Sequence, residues 1–598
     1  MPNMKKQPTT AQQLSSLIKS ARDIMRKDKG LSGDLDRLPM LTWVMFLKFL
    51  DDMEQIRESE AVLEGKTFRP AVVPPYRWGD WAADENGVTG DDLIAFINND
   101  EAMRPDGTRG PGLFAYLKGL QSENGGDRRD VIATVFKGTL NRMINGYLLR
   151  DVINKVNGIH FTSSKEIHTL GHLYESMLKE MRDTAGDSGE FYTPRPVVRF
   201  MVEVMNPRLG ETILDPACGT GGFLAEAYGH LEKQCKTVAD REILQRQSIF
   251  GGEAKPLPYL LCQMNLLLHG VESPQIHSTN SLAVNVMQLG DRDREDIILT
   301  NPPFGGEEEK GIQGNFPADK QTSETALLFL QLIMRKLKRP GYGSANGGRA
   351  AVIVPNGVLF GGGVCARIKE ELLTNYNLHT IVRLPNGIFA PYTSIPTNLL
   401  FFDRSAPTKE IWYYEHPLPE GRKNYTKTKP LQYDELTPLV EWWNEREEDE
   451  QAWRVDFKQI YDEAIEKATP HWKAVEAAEE KAKQCAVKAK ELNGEIKSLK
   501  PLLDGLTQGH KDLQKKIEKL TKAYEQNLAE EARQREVAKA EQAKGDAIYW
   551  PIFNLDIKNP NSEETLEHLP PEQLVEDIME KETRIAQLMA EIKTLLET

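Results

Sequence analysis

Residues 213–223 read Ile-Leu-Asp-Pro-Ala-Cys-Gly-Thr-Gly-Gly-Phe, an apolar stretch that meets an acidic residue and then a glycine-rich turn. A strand running into Asp215 and then into Gly219, Thr220, Gly221 and Gly222 lets a ligand approach bare backbone at the carboxyl edge of a parallel sheet. The spacing is not the G-x-G-x-x-G dinucleotide fingerprint, and no G-x-x-x-x-G-K-[ST] occurs in the chain, which disfavours a P-loop nucleotidase. A second apolar stretch ends at Gly251-Gly-Glu253, and an acid at the tip of a second strand is placed to accept hydrogen bonds from two ribose hydroxyls. A third, Ile297–Thr300, delivers Asn301, Pro302, Pro303 and Phe304. The two prolines fix the backbone and remove two N–H donors, so carbonyls are left exposed beside the Asn301 amide and the Phe304 ring. That apparatus suits a planar base with an exocyclic amino group: two acceptors hold the amino hydrogens while the ring stacks on Phe304. Upstream, Glu190, Phe191, Tyr192, Thr193, Pro194 and Arg195 form a turn that says little alone but stands in series with the other three.

Other constellations fail. His168 and His172 are four apart but lack the Glu of a zinc-binding H-E-x-x-H helix, and no metal site is expected. Cys218 has no paired His by sequence, and its small size suits a tight turn rather than a catalytic thiol. The glycine- and glutamate-rich stretch from Gly305 to Gly314 follows the Asn-Pro-Pro-Phe segment directly and is placed to act as a lid.

The elements that must carry these residues fall into four regions. Residues 1–160 read as mostly helical, with Leu38–Leu50 apolar nearly all round and therefore a buried helix. Residues 161–470 open on a helix whose capping box is Ser163 and Glu166. They continue from about 210 as short apolar strands alternating with helices: Thr212–Leu214, Ile249–Gly251, Ile297–Thr300, Arg349–Val354, His379–Leu384, Thr397–Asp403 and Ile411–Tyr414. Such a pattern predicts a largely parallel sheet covered on both faces. Residues 471–548 shift to Ala, Glu, Lys and Gln, with Leu492, Ile496, Leu499, Leu503 and Leu506 at coiled-coil spacing. Pro501, Gly505 and Gly509 interrupt that seam, so a helical hairpin competes with one long rod. Residues 549–598 end in an amphipathic stripe of Leu574, Ile578, Ile585, Leu588, Ile592 and Leu595, suited to docking on a partner or to self-packing.

The 598 residues carry 75 Lys+Arg against 89 Asp+Glu, a formal charge of −14. That balance excludes binding of nucleic acid through overall positive charge. Five scattered cysteines, no apolar run long enough to span a membrane and no signal-peptide pattern lead to the expectation of a cytoplasmic protein.

The four motifs, in this order and spacing, resemble those of the γ-ordered amino-methyltransferases, and most closely the modification (M) subunits of type I restriction–modification systems. Leu41–Asp52, Gly348–Gly357 and Pro385–Phe389 support the resemblance, which covers about 1–470 and the last forty residues. It implies an α/β fold, a Rossmann-like S-adenosylmethionine-dependent methyltransferase sheet between an N-terminal helical domain and a C-terminal helical or coiled-coil tail. It also implies site-specific methylation of adenine N6 in DNA. By resemblance S-adenosylmethionine sits on Glu190–Arg195 and the Gly219–Gly222 turn, with Asp215 at its methionine end and Glu253 on its ribose. Asn280 is the nearest counterpart of an Asp that family members carry beside the donor's adenine. Asn301 and the Pro302 carbonyl then polarise an adenine flipped out of double-stranded DNA and stacked on Phe304. The implied partners are a specificity (S) subunit, a second M subunit and a restriction (R) subunit. The segment between Asp403 and Pro470 has no room for a DNA-reading domain, so recognition is expected from another polypeptide. A protein-glutamine or RNA amino-methyltransferase, and a non-catalytic cofactor-binding scaffold, are the alternatives.

Overall fold

Apolar side chains on every face of a helix require that helix to be enclosed. Within the helix Asp34–Leu63 the stretch Met40–Leu50 meets that requirement: Met40, Leu41, Trp43, Val44, Met45 and Phe46 are at most 1% exposed. Trp43 stacks edge-on against Phe114, and Phe46 and Phe136 lie beside them. The computed structural model describes residues 11–63, 65, 67–121, 128–159, 193–341, 345–390, 395–426, 428–504, 510–561 and 579. The expected helix after Ser163, the Glu190–Tyr192 part of the first motif and the amphipathic stripe from Leu574 to Leu595 lie outside these residues. The helical front is joined to the rest of the fold by packing. Leu260, Leu261, Met264 and Leu268 of the helix Pro256–Leu268 belong to the same apolar cluster as Trp43 and Phe46.

A small hairpin, β1 (Glu101–Met103) with β2 (Arg109–Pro111), decorates the front. The main sheet is built from β3 (Ile213–Asp215), β4 (Ile249–Gly252), β5 (Gln275–His277), β6 (Ile297–Thr300), β7 (Arg349–Pro355), β8 (Asn377–Leu384), β9 (Thr397–Asp403), β10 (Glu410–Glu415) and β11 (Ala452–Asp456). Their spatial order is β11-β10-β8-β9-β7-β6-β3-β4-β5. All seven strands anticipated from the sequence are present, joined by β5 and β11. The expectation of a parallel sheet holds for β5-β4-β3-β6-β7, whereas β9 runs antiparallel between β7 and β8, and β11 runs antiparallel on the β10 edge. The sheet is thus mixed. The chain leaves β3 toward β4 and β5 and then returns to β6 on the other side of β3. That reversal opens a crevice beyond the carboxyl ends of β3 and β6, where open α/β sheets bind ligands.

The tail is a hairpin. Helices Phe457–Asp504 and His510–Tyr549 run antiparallel, with His471 hydrogen-bonded to Glu541 at 2.6 Å and Trp472 packed edge-on against Tyr549. Small buried side chains (Ala478, Ala482, Ala489, Ala538) let the two backbones approach, and Ile496 and Ile517 close the seam farther out. The shift in composition at 470 falls inside the first of these helices, because Phe457 begins it directly after β11 and packs on Phe553. After the hairpin the chain returns to the sheet. Leu555 donates its N–H to the Leu359 carbonyl at 2.9 Å, and Asp556 pairs with Arg383 at 2.6 Å.

Candidate active site

Asp215 ends β3 and Thr300 ends the neighbouring β6, so the two side chains meet across the crevice. The Thr300 hydroxyl donates to Asp215 Oδ1 at 2.6 Å, and the Ala217 N–H donates to the same oxygen at 3.1 Å. Asp215 is only 1% exposed. Burial, with the Glu253 carboxylate nearby, pushes its pKa up to about 7 against those two hydrogen bonds.

The turn that follows is held at nearly every peptide. Cys218 N–H donates to the Gly252 carbonyl at 3.0 Å, the Ser281 hydroxyl to the Pro216 carbonyl at 2.6 Å, and the Asn265 amide to the Thr220 carbonyl at 2.8 Å. Gly221 needs to be glycine: its φ is +77°, and a Cβ there would stand 2.8 Å from Cys262 Sγ. The helix Gly222–Glu232 starts at this point, so its first N–H groups face the crevice. Glu253, directly after β4, reaches back to the turn. Its carboxylate accepts from the Gly219 N–H at 3.0 Å and from the Lys255 N–H at 2.8 Å, while burial raises its pKa.

Thr193 and Arg195 approach from the other wall. The helix Arg195–Met205 begins just after Thr193, with Pro194 as its N-cap, and Arg349 of β7 anchors its far end through the Met205 carbonyl and a bidentate pair with Glu211 at 2.7 and 2.9 Å. Arg195 donates to the Gly222 carbonyl at 2.8 Å and so ties this wall to the glycine turn. Asn301, the first residue after β6, donates from Nδ2 to Thr193 Oγ1 at 3.1 Å. Its Oδ1 is buried and has no partner among the described residues. An acceptor held in place and left unsatisfied is costly unless a ligand supplies the donor.

The cleft enclosed by these groups holds about 370 Å³ of space continuous with solvent, lined by Thr193, Arg195, Asp215, Gly219, Thr220, Gly222 and Asn301, with Ala217, Cys218 and Phe223. Pro302 is buried beside it, and Phe304, half-buried, meets Phe389 edge-on at 6.0 Å. Of the residues singled out by their chemistry, Thr193, Arg195, Asp215, Gly219, Thr220, Gly222 and Asn301 line the cleft, whereas Glu253 does not and is tied to it through the Gly219 N–H. Asn280 is not among the lining: its Oδ1 caps the short turn at Leu282 and its Nδ2 points to Glu308 at 3.4 Å. Thr300, Asn265 and Ser281 escaped the sequence reading; the position of Thr300, last in the strand before Asn301, was the available signal. The stretch Gly305–Gly314 is largely exposed and is tied down at Glu308, whose N–H donates to the Ser323 carbonyl, before Phe316 is buried against Leu282, Leu328 and Phe329. No cluster of potential metal ligands occurs among the described residues.

Residues 165–481 match the N-6 DNA Methylase family, and residues 14–156 match the HsdM N-terminal domain family. The chain is 49% identical over 457 residues to the type I restriction enzyme EcoEI methylase subunit of Escherichia coli, an alignment covering 75% of this chain and 88% of that one. A crystal structure of a modification subunit of a putative type I restriction enzyme from Vibrio vulnificus YJ016 superposes with a TM-score of 0.72 at 73% identity, covering 76% of this chain and 94% of that one. A chain from a structural study of complex assembly and conformational transition in the type I R-M system covers 99% of both, at 33% identity and a TM-score of 0.66.

Proposed function

We infer that this chain, which belongs to the methylase (M) subunits of type I restriction enzymes, is the subunit that methylates adenine N6 in DNA, and that the reaction runs in the cleft between Asp215 and Asn301. The observation that carries the site is the buried Asn301 Oδ1, which has no partner among the described residues and is oriented by the bond from its own Nδ2 to Thr193. The amino nitrogen of adenine is a poor nucleophile because its lone pair is delocalised into the ring. An acceptor at Asn301 Oδ1 and another at the Pro302 carbonyl draw the amino hydrogens out of the ring plane and stabilise the positive charge that grows on nitrogen during attack. No general base is needed for that step, since the proton is acidic once the nitrogen is alkylated. The target base leaves the duplex stack at a cost of a few kcal/mol, and stacking on Phe304 offsets about 1–3 kcal/mol of it.

The walls of the cleft fit S-adenosylmethionine, which when bound supplies an electrophilic methyl group. The bare turn Gly219–Gly222 would give close backbone approach, Glu253, whose two oxygens each already accept one backbone N–H, would offer its remaining lone pairs to a ribose, and Asp215 would lie toward the cationic methionine end. Thr193, Pro194 and Arg195, with Glu190, Phe191 and Tyr192 directly before them in sequence, are assigned to the same donor. Replacing Glu253 with alanine is expected to weaken donor binding roughly tenfold, the worth of about 1.4 kcal/mol from lost charge-assisted hydrogen bonds. Turnover at saturating donor should stay within a few-fold; equilibrium titration of the donor and steady-state rates separate the two.

The chain works on double-stranded DNA with a specificity (S) subunit, a second M subunit and a restriction (R) subunit. No helix among the described residues is long and apolar enough to cross a membrane, and the cytoplasm, where cellular DNA is reached, is the compartment we propose. Between β9 and the arm the described residues form β10, a short 3-10 turn Tyr433–Leu436, the helix Thr437–Asn444 and β11, so sequence recognition is assigned to the specificity subunit. The deciding experiment purifies the chain with and without that subunit and measures N6-methyladenine formed on duplex DNA. Site-specific product from the complex, and none above background from the chain alone, is the expected result. Methylation of protein glutamine or RNA in preference to DNA would refute it.

A further inference from the structure

The hairpin formed by Phe457–Asp504 and His510–Tyr549 is the largest element to which methyl transfer gives no task. Its charge is sorted along its length. The half nearer the sheet, residues 457–480 and 523–549, carries seven Lys+Arg against twelve Asp+Glu, a formal −5. The distal half, residues 481–522, carries eleven Lys against five Asp+Glu, a formal +6 in a chain whose total is −14. The halves also differ in how the charges are used. Near the sheet, cations are matched within a helical turn: Lys458 with Asp462 at 2.6 Å, Lys467 with Glu463 at 3.1 Å, Arg535 with Glu531 at 2.8 Å and Lys544 with Glu541 at 2.7 Å. Among the described residues, none of the eleven distal lysines has a hydrogen-bond or ion-pair partner, and all eleven are exposed.

Uncompensated cations at this density raise a positive potential that recruits a polyanion. A membrane surface fits poorly, because it needs an apolar face beside the charges. Here Ala482, Ala489, Ile496 and Ile517 are turned into the seam, and the large apolar side chains left exposed among the described residues, Val487 and Leu502, stand fifteen residues apart and form no continuous face. The distal half of the first helix, at 1.5 Å per residue, extends about 36 Å. That is close to one turn of B-form DNA, roughly 34 Å, along which phosphates present one charge per about 1.7 Å. We propose that the distal half of the hairpin lies along the phosphate backbone of duplex DNA flanking the target and grips it without reading sequence. The inference rests on the DNA-methyltransferase reading and extends it: the acidic catalytic chain carries its own non-specific DNA contact, separated from the site that does the chemistry.

The test uses the full chain in complex with its specificity subunit. Lys481, Lys483, Lys488, Lys490, Lys515 and Lys516 are changed together to Gln, which keeps helix propensity. Each lost phosphate contact flattens the plot of log affinity against log salt by about 0.9. The expected result is a slope at least two units flatter and a loss of at least tenfold in affinity for duplex DNA at roughly 0.15 M salt. The turnover number at saturating DNA and the helical circular dichroism should be unchanged. A control carrying Lys473→Gln and Lys539→Gln, on the acidic half, should keep the wild-type slope. An unchanged slope and affinity in the sixfold variant, an equal effect in the control, or a loss confined to RNA or to anionic vesicles would overturn the proposal. Should the wild-type complex bind and methylate no DNA, the underlying reading fails; should it methylate DNA while the sixfold variant keeps its slope, only the arm's role fails.

Discussion

Asn301→Ala is expected to lower single-turnover methylation of duplex DNA by about 10²–10³-fold or more, the range for removing one preorganised group that stabilises developing charge, while donor affinity stays within about threefold. The asymmetry follows from geometry. Asn301 follows β6 at the crevice, and its Nδ2 is engaged by Thr193, so its Oδ1 is aimed without needing to reorganise when charge develops. The donor is assigned to the glycine turn, Asp215 and Glu253, and the hydrogen bonds that shape those groups come from Ala217, Thr300, Gly219 and Lys255, not from Asn301. Thr193→Ala should produce a smaller loss, about tenfold, because it frees the amide to rotate without removing the acceptor. Rapid-quench methylation with a saturating complex of chain, specificity subunit and DNA measures the chemical step, and calorimetric titration measures donor binding. An equal loss of both in Asn301→Ala would move that residue from the chemistry to the donor pocket.

The difference between what was legible in the sequence and what was not follows the range of the interactions involved. Asp215, the glycine turn and Asn301–Phe304 announce themselves because each is a local pattern at a strand end, where backbone geometry dictates residue type. Thr300, Asn265 and Ser281 act across 85, 45 and 65 residues of sequence and carry no local mark. Strand β5 has three residues with only Ile276 buried, and β11 at the sheet edge buries only Ala452 and Trp453, so neither shows the apolar run of a central strand. The antiparallel insertion of β9 depends on strand order rather than on strand content, and its apolar sequence is equally at home in either direction. The start of the tail helix at Phe457 was hidden because its first turns pack on the sheet and so keep the apolar composition of the domain they leave.

Donor affinity is expected to rise with pH, by roughly 30-fold between pH 5.5 and a plateau above about 7.5, and Asp215→Asn should flatten the profile. Asp215 is the group responsible. Enclosed in the folded chain, its carboxyl is pushed up to about 7, chiefly by burial. Its pKa therefore lies above the unfolded value, so the folded state holds an extra proton between about pH 4 and 7. Over that window Asp215 subtracts from stability as pH rises, until a compensating charge arrives. S-adenosylmethionine brings a sulfonium and an ammonium, and beside them the ionised carboxylate is preferred. Binding then expels the proton at any pH below about 7, and each unit below it costs about tenfold in apparent affinity. The same linkage makes the donor a stabiliser whose effect grows with pH: the rise in melting temperature at a fixed donor concentration should be larger at pH 7.5 than at pH 5.5. Calorimetry in two buffers of different ionisation enthalpy gives the proton count directly, near one released per donor at pH 6 and near zero at pH 8. The Asn variant should release none at either pH. Proton release at pH 6 that survives Asp215→Asn would assign the titration to Glu253, whose pKa burial also raises, and would place the donor's cationic end on the other side of the glycine turn.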